Sequence, residues 1–173
     1  MARPQAGVLD PLTSRMTPLR QFLVVQSLLL WQGGFLFYAA FVVPAGTEVL
    51  GSAAAQGAIT VRATAALNVC GVAALALSCW DLSRTAAPSA RLTAARWWCW
   101  TVAAVCQWFI LFFHALLTSF MSPDRVHVVV GPPFRPVHRA YLWLSTVQWV
   151  ACLVLAWATL RAWAAEDRQP KGA

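Results

Sequence analysis

The chain predicts an all-α fold, an integral membrane four-helix transmembrane bundle, and three observations lead there. Of its 173 residues, 60% are hydrophobic and 11% charged, where an average soluble domain carries about 25% charged residues. Mean hydropathy is +0.61. Four apolar runs, at residues 21–43, 61–80, 97–120 and 139–163, each reach the ~20 residues that a helix needs to cross a bilayer core of ~30 Å. They form a single transmembrane domain over residues 1–173, with tails at 1–20 and 164–173.

The N-terminal tail holds Arg3, Arg15 and Arg20 with Pro4, Pro11 and Pro18, a basic and irregular composition. The run at 21–43 exceeds the 7–15 apolar residues of a signal-peptide core, so it reads as a retained first span. Ser27, Gly34 and Tyr38 share a face there, and Gly33 with Gly34 allows close backbone approach. Pro44 and Gly46 are expected to end this span. The connection at 45–60 is small and nearly uncharged, with room for a short interfacial helix. In the second span Thr64, Asn68 and Gly71 fall within about 60° at helical spacing, a packing face with an amide as glue.

Residues 81–96 read as a polar loop with Pro88 and three arginines. Trp97, Trp98 and Trp100 then start an interfacial aromatic belt. On the third span Gln107, His114 and Thr118 lie within about 40° of one another. Pro123, Pro132, Pro133 and Pro136 exclude a regular helix across 122–137. Along the last span, HRAYLWLSTVQWVACLVLAW, His138, Tyr141, Ser145, Gln148 and Cys152 occupy an arc of about 80°. An unpartnered hydroxyl or amide in hydrocarbon costs several kcal/mol, so this stripe is expected to face other helices or a wet cavity.

The net charge of +7 comes from 13 basic residues spread over the ends of apolar segments. They form no stripe of the kind that binds nucleic acid, so the lipid bilayer is the expected partner, with room for a homo-oligomer or another membrane protein. With Arg161 at the end of the last span counted in, nine Lys and Arg fall at the two tails and the 81–96 loop, and four at the opposite ends of the spans; this excess places both termini in the cytoplasm. Cys70, Cys79, Cys99, Cys106 and Cys152 are odd in number, lie within spans and form no C-x-x-C pair. Neither a disulfide framework nor a zinc site is signalled, and free packing thiols are expected.

With that topology, depth along the helices gathers a polar cluster in the outer half of the bundle: Tyr38, Asn68, His114, Tyr141, Ser145 and Gln148. Glu48, Arg62, His138 and Arg139 would form its mouth. His114 is an ionisable residue within a span, which is a functional-site hypothesis by default. Its structural alternative is a neutral imidazole bonded to Tyr141 or Ser145 across helices. Glu48 and Arg62 are expected to form an ion pair between the first connection and the second helix, or a charged gate; Arg139 reads as a snorkelling anchor. Asp124 and His127 joining His138 is a weak metal pattern, and no resident metal is expected.

The segments WQGGFLFYAAFVVPAGTEVLG and HRAYLWLSTVQW, with Gly33, Gly34, Phe37, Tyr38 and Pro44, resemble those of small four-span bacterial membrane proteins of unknown function, broadly similar to the transmembrane-protein-205-like class. The resemblance implies a bacterial multi-pass membrane architecture and brings no substrate or catalytic residue; the inner membrane is the expected location. No phosphate loop, nucleophile elbow, H-E-x-x-H or close carboxylate pair is present, so no enzyme is expected. A structural subunit or a small-solute or proton pathway is the first expectation, without a cofactor. The alternative is an electron-transfer protein binding quinone or haem b, with His114 and His138 as the only intramembrane imidazole pair.

Overall fold

A computed structural model describes residues 11–85, 87–122 and 131–168, with side chains from Pro18 onward. Its regular elements are helices: α1 (Pro11–Phe37), a π-helical turn (Tyr38–Val42), α2 (Val43–Leu50), α3 (Ala53–Arg84), α4 (Ala90–Thr118) and α5 (Phe134–Glu166). Because α1, the π turn and α2 run on as one rod, four helices among the described residues are long and apolar enough to cross a membrane: Pro18–Leu50, Ala53–Arg84, Ala90–Thr118 and Phe134–Glu166. Each outlasts the predicted span at one or both ends. At 1.5 Å per residue α3 is about 48 Å long, enough to cross both headgroup regions as well as the hydrocarbon.

The prolines account for most of the difference from the expected boundaries. Pro44 does not end the first span; it lies directly after the π turn, at the start of α2, and the rod continues through it. Pro136 likewise lies in the first turn of α5, so the proline-rich connection ends sooner than its composition suggests. Pro18 sits inside α1, in a stretch expected to be an irregular tail. The rod stops at Gly51, whose φ of 59° is left-handed and favours glycine. Ser52 and Ser89 cap the next two helices, accepting from the amides of Ala55 at 3.3 Å and Leu92 at 3.2 Å. The 81–96 loop is thereby reduced to the short link between Arg84 and Ala90.

Around the bundle the helices follow the order α1, α3, α4, α5. The α4–α5 seam is the most extensive and the α1–α5 seam the loosest. Burial inside the protein covers 39% of the apolar window of α5 and only 11% of that of α1, so α5 is the most covered of the four and α1 the least. Phe22, Leu29, Phe41, Val69, Trp108, Phe112, Trp143 and Trp157 are exposed on the outside. That distribution, large apolar side chains outward and Gln, Asn, Ser and Thr inward, suits a lipid surround.

One apolar layer joins Val24, Leu28, Ala74, Ala103 and Cys152 across all four spans. It divides the interior into two polar regions. The terminal end is where α1 and α4 begin and α3 and α5 finish; the distal end holds α2 and the start of α5. Gly71 marks a close approach on the distal side of that layer: a Cβ there would lie 2.7 Å from both Gln107 Oε1 and the Trp31 ring. All five cysteines are free thiols, with Cys106 and Cys152 buried.

Candidate functional site

At the distal end, α1, the π turn, α2, α3, α4 and α5 surround a cleft of about 560 Å3. Tyr38, His114, His138 and Tyr141 line it, with Gln56, Thr60, Thr64 and Arg135, on walls that include Phe35, Val43, Leu117, Phe134 and Leu142. The π turn presents Tyr38 to this space. Its hydroxyl donates to Thr60 Oγ1 at 3.0 Å and accepts from Gln56 Nε2 at 3.3 Å, while Thr60 donates to the Gln56 carbonyl at 3.0 Å. Gly46 makes room for the Gln56 amide, which a Cβ at that position would overlap. One wall is therefore a small neutral network in which Gln56 is buried while Tyr38 and Thr60 are only partly covered.

His114 is half-buried, and its Nε2 contacts the Val61 carbonyl oxygen at 3.0 Å. A carbonyl only accepts, so this contact places a proton on Nε2. The expected partners, Tyr141 and Ser145, are not the ones observed. Instead the Tyr141 hydroxyl lies against Thr64 and Asn68, and Ser145 bonds back to the Tyr141 carbonyl at 2.9 Å. His138 stacks on Phe134, with centroids 5.4 Å apart and ring planes 11° off parallel.

The predicted outer-half cluster thus divides in two. Tyr38, His114 and Tyr141 line the cleft, whereas Asn68, Ser145 and Gln148 lie outside its lining, buried in the interhelical seam. Gln148 Nε2 donates to the Ala103 carbonyl and to Gln107 Oε1, each at 3.0 Å, and so stitches α5 to α4. Asn68 Nδ2 and Gln107 Nε2 are buried donors without a partner among the described residues.

Of the predicted mouth residues, His138 alone lines the cleft. Glu48 and Arg62 do not form the expected ion pair, because each is exposed on the outer face of its own helix. Arg139 is exposed outside the cleft. Asp124 and His127 lie outside the described residues. Among those described, no three His, Cys, Asp or Glu side chains gather as a metal-binding group.

Sequence reasoning missed the second polar region. Asp81, assigned to a loop, is fully buried three residues before the end of α3. Arg96, assigned to the same loop, is 2% exposed on α4, and Arg20, assigned to the tail, is 8% exposed on α1. Asp81 Oδ2 lies 2.7 Å from Arg96 Nη2, and Oδ1 lies 3.0 Å from Arg20 Nε. The latter is an ion contact without hydrogen-bond alignment. Thr85 Oγ1 and Trp163 Nε1 also donate to Oδ1, at 3.0 and 3.1 Å. Arg20 Nη2 donates to Thr85 Oγ1, and Arg96 reaches the Thr85 carbonyl and Thr159 Oγ1. One carboxylate therefore ties together all four long helices.

A signal for this cluster was present. Thr64, Asn68 and Gly71 continue at steps of three and four residues through Ala74 and Ser78 to Asp81 and Thr85. The α5 stripe continues likewise from Cys152 through Leu155 and Thr159 to Trp163. Comparison of the chain with protein-family models, curated proteins and solved structures gives no match.

Proposed function

We propose that the protein is a non-enzymatic, multi-pass integral membrane protein whose distal cleft takes up a small amphipathic solute. The observation that carries this reading is the cleft itself: hydrogen-bonding groups of Tyr38, His114, Tyr141 and Thr64 converge from separate helices on an apolar-walled space. Pockets of that size and lining suit a ligand with an apolar body and one or two polar atoms. A π turn at the wall fits as well, since such turns occur often at functional sites. Beneath the cleft, the Val24, Leu28, Ala74, Ala103 and Cys152 layer favours binding over passage through the bundle.

The distribution of Lys and Arg supports cytoplasmic termini, which turns the cleft away from the cytoplasm. Resemblance to small four-span bacterial proteins supports the inner membrane. Thermal unfolding of the full chain in detergent, with decanol and a short-chain quinone as probes, tests the reading. At a hundredfold excess over Kd a cleft ligand stabilises by about 2.7 kcal/mol. A saturable rise in Tm is expected, and Ala39→Trp, which fills the cleft from an exposed position, abolishes it. Absence of saturable stabilisation, or an equal rise in the filled variant, rejects this reading.

A second reading, electron transfer through haem b or a quinone, is favoured by one observation: both His114 and His138 line the cleft. Its haem form requires a free imidazole nitrogen directed at iron, and the Nε2 of His114 is already engaged by Val61. A visible spectrum after expression with adequate haem decides it: the lack of a Soret band removes that form.

A further inference from the structure

Where the start of α4 meets the end of α5, an open groove of about 550 Å3 is lined by Arg91, Arg161 and Arg168 above a floor of Ala95, Ala164 and Ala165. The alanines create the concavity, because the two helices carry no bulk where they would otherwise touch. None of the three arginines pairs with a carboxylate among the described residues. The nearby acids do not compensate them. On α5 and the helical turn that follows it, Arg161, Ala164, Ala165 and Arg168 fall within an arc of about 100°, whereas Glu166 and Asp167 point about 120–140° away from Arg161. The first turn of α4 adds outward-facing amides and the positive end of a 29-residue helix.

What lies deeper on the same face distinguishes a lipid from a free anion. Trp98 follows Arg91 by two turns and about 20°, and Trp157 precedes Arg161 by one turn and about 40°. They are 70% and 64% exposed. Three guanidinium groups at the helix ends thus sit directly above two exposed indoles on the bilayer side. This order, cationic head site and then an apolar aromatic strip, matches an amphipathic anion standing along the helices.

We infer that this groove binds an anionic phospholipid, its phosphate held by Arg91, Arg161 and Arg168 and its acyl chains laid against Trp98 and Trp157. The site is at the opposite end from the solute cleft and does not depend on it. The test is native mass spectrometry of the full chain released from micelles holding phosphatidylglycerol and phosphatidylcholine of identical chains in equal amounts. Wild type retains the anionic lipid preferentially, and Arg91→Ala and Arg161→Ala each lower that preference about fivefold. Arg84→Ala removes an exposed charge at the same end outside the groove and leaves the preference intact; Trp98→Ala with Trp157→Ala lowers retention of the anionic lipid. All these side chains are exposed, and unchanged helical circular dichroism verifies the fold. Equal retention of both lipids, or equal effects of Arg84→Ala and Arg91→Ala, overturns the assignment. So does displacement of the lipid by millimolar inorganic phosphate with no effect of the tryptophan substitutions, which would make this a site for a free anion.

Discussion

Asp81 is fully covered and both its oxygens are engaged, whereas Tyr38, His114 and His138 stay half-exposed around open space at the distal end. Both regions are polar and both join several helices. They differ in charge and in completeness. A carboxylate withdrawn from water without partners is costly enough that the surrounding helices must supply donors from fixed directions. Neutral hydroxyls and imidazoles tolerate partial solvation, so the distal end remains adaptable. The terminal cluster therefore acts as a clasp that fixes helix register, and the cleft is the region free to recognise something.

The largest effect expected from breaking this contrast is at Asp81. Asp81→Leu leaves Arg20 and Arg96 buried without an anion and should destabilise the bundle by about 3–5 kcal/mol, read as a lower midpoint in denaturing detergent. The contrast sharpens if Arg20→Met and Arg96→Met are added: with all three charges gone, most of that stability should return. Failure of the triple variant to recover would mean that the cluster's hydrogen bonds, not its charge balance, hold the ends together. Gly71→Ala lies between the two regions, where the added methyl meets Trp31 and Gln107; overpacking there should cost about 1–3 kcal/mol by the same measurement. Tyr38→Phe removes one bond to Thr60 and the acceptor for Gln56, a loss of about 0.5–1.5 kcal/mol, together with weaker solute-induced stabilisation. The smallest effect is at Glu48→Gln, which should shift the midpoint by less than about 0.5 kcal/mol because no ion pair is lost.

Helical spacing made the inner faces legible. Thr64, Asn68 and Gly71 are buried as a set, as are Tyr141, Ser145, Gln148 and Cys152. Gln107 also faces inward, but Thr118, placed on the same stripe, is exposed and bonds to the His114 carbonyl at 2.8 Å. The same spacing leads on to the clasp, but arginine and aspartate near span boundaries ordinarily lie in water, so spacing alone did not reveal their burial. Here the helices run past the expected spans, which carries those residues onto the inner faces of the bundle. Depth was the weakest part of the site reading. Matching Asn68, Ser145 and Gln148 to Tyr38 assumed straight spans with nearby boundaries, whereas the extra length of α3 and α5 leaves those three outside the cleft.

The π turn bears on which length changes this chain tolerates. At Tyr38–Val42 the backbone accommodates one residue more than an α-helical turn holds, and the Val43 amide reaches back to the Tyr38 carbonyl. Removing a single residue there would let α1 and α2 merge into one uninterrupted α-helix with α2 keeping nearly the same facing, because the wide turn already absorbs the extra residue. Elsewhere in a span a one-residue deletion scrambles inward and outward faces; at Tyr38–Val42 it would produce a smoother helix and a reshaped cleft, making this turn the natural place for chain length and binding preference to change together.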